Sequence, residues 1–363
     1  MKVTQLYIYP IKSLRAVPLQ TAQVTSDGFQ YDRRFILVKH HPTANTRPRA
    51  PALFDPQNRL ESVTITFYPE LSLFKQRIDF SKGLLYIDHC PPDHSDWTLE
   101  IPLEPDCNDL EDITISLHQS STKGHLMPDW ASRWFSTRLE MDVKLIYLGS
   151  HRRDVLGNLA PAPSPPQPTS WLSSLSTLLP SGSSPESPGK TTITFTDCAA
   201  ILVVTEESLQ DVSARFSNPT KADITKFRPN IVLSGSPHAY DEDFWGGIRI
   251  LKPPEPDHAN NDNDATEIVL TQNCGRCQSL NVDYTTGQFS KDEEGATLKK
   301  LMKDRRVDTG NKYSPVFGRY GFMKTTQNDG NKHGIRIGDE VEVSKRNEER
   351  TSFSELTEMI IPR

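Results

Sequence analysis

The most reactive pattern in this sequence is the pair of cysteines in Asn273-Cys274-Gly275-Arg276-Cys277. A Cys-x-x-Cys pair can be half of a zinc site, a thiol redox couple, or a soft metal ligand with one neighbour. A structural zinc ion needs four ligands, and neither a second Cys-x-x-Cys nor a His-x-x-x-His follows Cys277. A redox couple belongs at the start of a helix, whereas Ser279-Leu280-Asn281-Val282 reads as a strand. Two readings remain open. One is a single thiolate ligand, with Arg276 as a cation favouring ionised sulfur; the other is a pair of inert buried thiols, the commonest explanation of such a pair alone. Two further groups combine cations with polar donors: Lys12-Ser13 with Arg33-Arg34, and Lys226-Phe227-Arg228-Pro229-Asn230. Together these types can donate charge-assisted and neutral hydrogen bonds to a phosphate and a polar heterocycle. Each taken singly is equally a solvated surface residue.

Short strands must position these groups. Alternating or apolar runs predict strands at 3–9, 35–38, 63–67, 84–87 and 113–117, separated by Pro, Gly and Asp clusters. A helix is expected over 129–139, with Trp130, Trp134 and Phe135 packed in the core, followed by a strand at 143–148. Between 158 and 190 the chain turns to Pro, Ser and Gly and reads as a linker. Within it Trp171, Leu172, Leu175, Leu178 and Leu179 share one face of a short helix, read as locally packed, with a membrane-surface role as the alternative. Strands follow at 192–195, 199–204, 230–234, 248–251, 268–271 and 280–284, with a helix capped by Thr205 and a closing strand after Gly338-Asp339. The segments 40–59 and 253–266 read as surface insertions. The expected division is a β-rich domain at 1–150, the linker, a second β-rich, barrel-like domain at 191–345, and a tail at 346–363.

The length of 363 residues allows about two domains. A net charge of -6 offers no basic face for nucleic acid. Five cysteines, an odd number spread thinly, argue against a secreted disulfide framework and for a reducing, intracellular compartment. The N-terminus lacks a signal-peptide pattern, and the longest apolar run, 199–204, is far short of a membrane span.

Six ordered segments, LYIYPIKS (6–13), DRRFILV (32–38), FRPNIVLSG (227–235), CGRC (274–277), SPVFGRYG (314–321) and IRIGDEV (335–341), resemble the MOSC family and most closely its amidoxime-reducing branch. The resemblance implies a β-rich α+β fold, an N-terminal β-barrel-like domain followed by a MOSC β-barrel, with the molybdenum cofactor at their interface. It implies Cys277 as the molybdenum ligand, and cofactor contacts from Lys12, Ser13 and Arg34 in the first domain and Arg228, Asn230, Gly275, Arg276 and Tyr320 in the second. Asp197 and Cys198 occupy a further contact segment, where Cys198 and Ala199 replace hydroxyl residues of close relatives. The activity implied is reduction of N-hydroxylated compounds such as amidoximes and hydroxylamines. No ferredoxin-like cysteine pattern follows Cys277, so electrons are expected from a separate cytochrome b5 and its NADH-dependent reductase. Cytoplasm is the expected location, with mitochondrial association as the alternative, because the first motif starts near residue 6 without the anchor of the membrane-bound relatives. The competing function is that of a cofactor carrier or sulfur-transfer protein, since the molybdenum cofactor sulfurase ends in a similar module. The pyridoxal-phosphate domain of that enzyme is not found in this sequence.

Overall fold

Seven strands close into a barrel in the second half of the chain, and the N-terminus contributes one of them. In the computed structural model, which describes residues 1–41, 47–92, 97–156, 159–161, 191–217, 222–251, 265–324 and 334–353, Lys2–Ile8 pairs antiparallel with Ile231–Ser234 on one side and meets Glu340–Arg346 on the other. The ring continues from Ile231–Ser234 through Ile201–Thr205, Val316–Met323, Thr266–Gly275 and Trp245–Leu251 to Glu340–Arg346. The strand expected at the start of the first domain thus completes the second barrel. The expected linker helix around Trp171 and most of the acidic loop after Pro253 lie outside the described residues.

Within this ring Ile201–Thr205 is buried at every position and runs parallel to Ile231–Ser234. Parallel neighbours need a crossover, and the helix Glu206–Ala214 supplies it. As expected, Thr205 caps that helix by accepting from Ser208 N, with Glu206 and Glu207 in the first turn. Such a cap contributes about 1 kcal/mol. Val3, Ile8, Val203, Trp245, Ile248 and Phe322 fill the barrel interior. Gly318 lies within the strand Val316–Met323 at φ +83, and a Cβ there would meet Val204 Cγ1 at 2.7 Å. Gly318→Ala therefore combines left-handed strain with a clash in a packed wall and should cost roughly 1–3 kcal/mol, read as a lower midpoint in urea unfolding.

The first half forms a six-stranded antiparallel sheet, in the order Asp112–Leu117, Ser120–Leu126, Val143–Tyr147, Phe35–His40, Leu60–Ser62, Phe54–Asp55. Its edges approach each other, with Asn58 Nδ2 donating to Thr114 O at 3.3 Å, so the sheet curls almost into a barrel. A three-stranded sheet, Phe74–Asp79, Leu84–His89 and Trp97–Pro102, packs beside it. The helix Asp129–Leu139 has the expected bounds. Phe135 is fully buried, but Trp130 is 53% exposed, so the apolar stripe is narrower than expected.

One expected strand is a loop and another is cut short. After Leu60–Ser62 the backbone turns, with Phe67 N and Tyr68 N both donating to Thr64 O. Val63 and Ile65 are buried in that turn, so their alternation mimicked a strand. After the cysteine pair, Gln278–Asn281 forms one 3-10 turn and only Val282–Asp283 is extended. The expected strand following the pair is shortened to these two residues and a 3-10 turn comes first, so strand context does not argue against the redox reading. The expected insertion at 40–59 also holds structure, a turn at Pro51–Leu53 and the edge strand Phe54–Asp55.

Candidate functional site

Three segments of chain are fastened side by side before any ligand-facing group is placed. Arg33 N donates to Tyr9 O, Phe35 N to Pro10 O and Lys12 N to Phe35 O, which joins residues 9–12 to 33–35. Phe195 N then donates to Arg33 O, and Thr194 Oγ1 to Asp32 O. Buried Asp32 ties this block to the second barrel, accepting from Tyr9 N at 2.8 Å, Asn230 Nδ2 at 3.0 Å and the Arg33 guanidinium. A cleft open to solvent lies where the two halves meet.

Lys12, Ser13, Asp197, Cys198, Arg228, Asn230, Gly275, Arg276, Cys277 and Tyr320 all line this cleft. Arg34 does not; its guanidinium donates to Gly149 O and lies over Tyr147. Arg33 lines the cleft in its place. Arg33 sits at φ +48, and a left-handed residue there breaks the alternation by which a strand start would have turned Arg34 inward. Asn230 borders the cleft, but its side chain is spent on Tyr7 O, Asp32 and Leu202 N. Its role is to join the halves.

The strand Thr266–Gly275 ends at the motif, with register shifts beside Gln272 and Gly275 where it pairs with Val316–Met323. Bulges of this kind re-aim side chains near functional sites. Cys277 follows in extended conformation and is partly exposed. Its Sγ lies 3.3 Å from Thr66 Oγ1, on the loop of the first half, and 3.2 Å from Ser279 Oγ. Cys274 differs. It is buried, and it accepts from Arg276 Nη1 at 2.9 Å; Arg276 Nη2 donates to Phe227 O. The cation expected beside Cys277 is bonded to Cys274 instead. Burial pushes the Cys274 thiol up, opposed by Arg276 and the Tyr320 hydroxyl. Cys198 is pushed up to about 12, by burial first and then by Asp197. Among these thiols Cys277 is the accessible one.

Across the cleft, Lys12 Nζ donates to Phe195 O and pairs with Asp197, which His118 Nε2 also contacts at 3.0 Å. The Asp197 side chain is half exposed to the cleft, yet enclosure by the cleft walls pushes its carboxyl up; Lys12 and His118 overcome this and hold the group well below its ordinary range. Burial lowers both Lys12 and His118 against the pull of Asp197. The fully buried Arg153 holds this segment by donating to Leu117 O and the carbonyls of Thr196 and Asp197. The sequence marked Arg33 only as the neighbour of Arg34, and it did not mark Thr64, Thr66, His118, Thr196 or Ser279. His118 sits with Gln119 in a two-residue hairpin, both at positive φ, a turn usually signalled by Asn-Gly. The two threonines of the loop were hidden by its strand-like pattern.

Thr64 Oγ1 and Thr196 Oγ1 line the cleft and are buried without a hydrogen-bond partner, as is Arg276 Nε. Buried polar groups ordinarily find partners, and these three are placed to hydrogen-bond a polar ligand in the cleft. With Lys12, Arg33 and Arg228 against one carboxylate, Asp197, among the described lining residues, the lining is suited to an anion that is also rich in hydrogen-bond donors and acceptors. An accessible thiol beside it can ligate a soft metal. The donor set therefore fits a metal-bearing, phosphate-bearing heterocycle.

Known proteins agree with this architecture. The model of the MOSC N-terminal beta barrel domain matches residues 1–142, and that of the MOSC domain matches residues 190–342. The mouse mitochondrial amidoxime-reducing component 1 is 25% identical over 346 residues, 93% of this chain and 81% of the relative. A crab-eating macaque mitochondrial amidoxime reducing component 2 is 26% identical over 348 residues, 93% and 82% of the respective chains. The rice molybdenum cofactor sulfurase is 23% identical over 311 residues, 83% of this chain but only 31% of the sulfurase. No helix among the described residues is long and apolar enough to cross a membrane. With a MOSC N-terminal barrel followed by a MOSC barrel, and relatives along nearly its whole length, this chain belongs to the MOSC family.

Proposed function

We propose that the chain is a molybdenum-cofactor-dependent reductase of N-hydroxylated compounds. The observation that carries this reading is the accessible Cys277 thiol at a cleft between two barrels, among cations and unpartnered buried hydroxyls. When bound, the cofactor supplies two-electron oxygen-atom chemistry at molybdenum, and the chain supplies the rest. Cys277 is the protein ligand, with Thr66 from one half and Ser279 from the other beside its sulfur. Arg33, Arg228 and Lys12 neutralise the cofactor's anionic group, while Thr64, Thr196 and Arg276 Nε offer hydrogen bonds to its polar heterocycle. Reducing an N–OH group to N–H releases water and consumes two electrons and two protons. Lys12 Nζ holds a proton that burial makes easier to release, and ionised Asp197 keeps that ammonium and the His118 ring in place.

Electrons come from a separate protein, for which cytochrome b5 and its NADH-dependent reductase are the proposed source. The names of the mouse and macaque relatives favour a mitochondrial association. The rice sulfurase similarity supports a second reading, a cofactor carrier or sulfur-transfer protein. Turnover separates the two. Protein loaded with cofactor in a molybdopterin-competent host should reduce benzamidoxime to benzamidine when supplied with NADH, cytochrome b5 and its reductase, and also with a chemical one-electron donor. Loaded protein with no turnover under either donor would sink the reductase reading in favour of the carrier.

A further inference from the structure

A second cluster of metal-ligating side chains lies on the first sheet, away from the cysteine motif. Asp112 and His125 face each other directly across the hairpin formed by Asp112–Leu117 and Ser120–Leu126. Opposed residues in such a pair project from the same face. His125 is in turn paired with Tyr147 on the next strand, and the turn after that strand, closed by His151 N donating to Leu148 O, brings His151 back over it. The two imidazole rings are 5.2 Å apart between centroids. One ligand atom from each of Asp112, His125 and His151 lies within 4.8 Å of the others.

Two details make this more than three neighbouring polar residues. His125 Nδ1 is buried and lies at ion-pair distance, 3.1 Å, from Asp112 Oδ1, but the two are not aligned for a hydrogen bond. A buried imidazole nitrogen ordinarily has such a partner, and a metal ion between ring and carboxylate would provide it. Gly149, at φ +59, is the second. A Cβ there would meet His125 Nε2 at 2.5 Å and Cys107 Sγ at 3.6 Å, so the missing side chain leaves room for the imidazole and brings a thiol alongside.

We propose that Asp112, His125 and His151 bind a zinc-type divalent ion. Two imidazoles and one carboxylate suit zinc or a similar first-row ion; magnesium and calcium take oxygen ligands. Three ligands leave a coordination position open to water, and the exposed carboxylate of Asp112 gives the ion access from solvent. Lys123 Nζ, 3.5 Å from Asp112 Oδ2, is the cation that the ion would displace. The ligands come from adjacent strands and a tight turn, so the site is formed without rearrangement of the sheet.

The test is a zinc titration of chelator-stripped, full-length protein in a Cys277→Ala background, which removes the accessible cleft thiol, using competition with a chromophoric chelator. One equivalent should bind, with affinity falling roughly tenfold or more in His151→Ala and in the nearly isosteric Asp112→Asn. Circular dichroism of each variant should match that of the parent. Asp112→Asn keeps the shape of an exposed side chain, so it remains informative if His151→Ala loosens the turn. Zinc affinity unchanged in Asp112→Asn, or no zinc bound by the parent at 100-fold excess of ion, overturns the proposal.

Discussion

Replacing Cys277 by Ala should abolish both stoichiometric molybdenum and benzamidoxime turnover, whereas Cys274→Ala should keep most of the metal and lose stability. The two cysteines share a motif but not an environment. Cys277 is partly exposed at the cleft, and its removal takes away a sulfur ligand for which neither neighbouring hydroxyl, Thr66 nor Ser279, is a soft substitute. Cys274 is buried and bonded to Arg276 Nη1. Its loss leaves a buried guanidinium donor unsatisfied beside an Nε already without partner, a change worth about 1–3 kcal/mol. Elemental analysis of each variant from a molybdopterin-competent host, with urea unfolding alongside, separates the outcomes. Molybdenum retained in Cys277→Ala would remove the proposed ligand. Equal loss of metal in both variants would mean that the pair acts together.

The contrast between these cysteines was only partly legible beforehand. Spacing marked both and left inert thiols as an open explanation; six motifs in order, rather than the pair, pointed to Cys277. The architecture was the most readable level. Most of the expected strands form, although Phe74–Asp79, Trp97–Pro102, Ser120–Leu126 and the barrel strand Val316–Met323 carried no signal that was read, and Thr205 with two acidic residues after it marked a helix start that the structure reproduces. What escaped was set by contacts distant in sequence. The N-terminal strand has the same alternation whichever barrel it joins, and its partners at 231–234 and 340–346 lie more than 200 residues away. Val63 and Ile65 alternate like a strand but are buried in a turn, so the loop that carries Thr66 to Cys277 was misread. Arg276 was expected to serve Cys277 because it is adjacent in sequence. The chain instead turns after Gly275, and the guanidinium reaches back to Cys274 and Phe227 O.

Arg33 and Arg34 provide the sharpest remaining test, because adjacency made them interchangeable in the sequence and the backbone makes them opposites. Arg33 turns into the cleft through its left-handed conformation, pairs with Asp32, whose side chain is 2% exposed, and stacks 4.1 Å from the centroid of the Tyr9 ring. Arg33→Ala removes a cation from the proposed anion site and one partner of a buried ion pair. Breaking such a pair costs about 3–5 kcal/mol, and the loss here should sit near the lower end because Tyr9 N and Asn230 Nδ2 still donate to Asp32. The Asp32 network joins the two halves of the chain, so stability and molybdenum content should fall together, with metal retention reduced roughly tenfold. Arg34→Ala loses a carbonyl contact and a distant ring contact outside the cleft, a partly exposed change expected to cost under about 1.5 kcal/mol with molybdenum content close to wild type. Arg33→Lys discriminates between the two losses. It keeps a positive charge but not the planar fork that pairs and stacks, so recovery of metal without full recovery of stability would show that charge serves the ligand and geometry serves the fold. If Arg34→Ala lost molybdenum while Arg33→Ala kept it, the cleft assignment of this pair would be reversed.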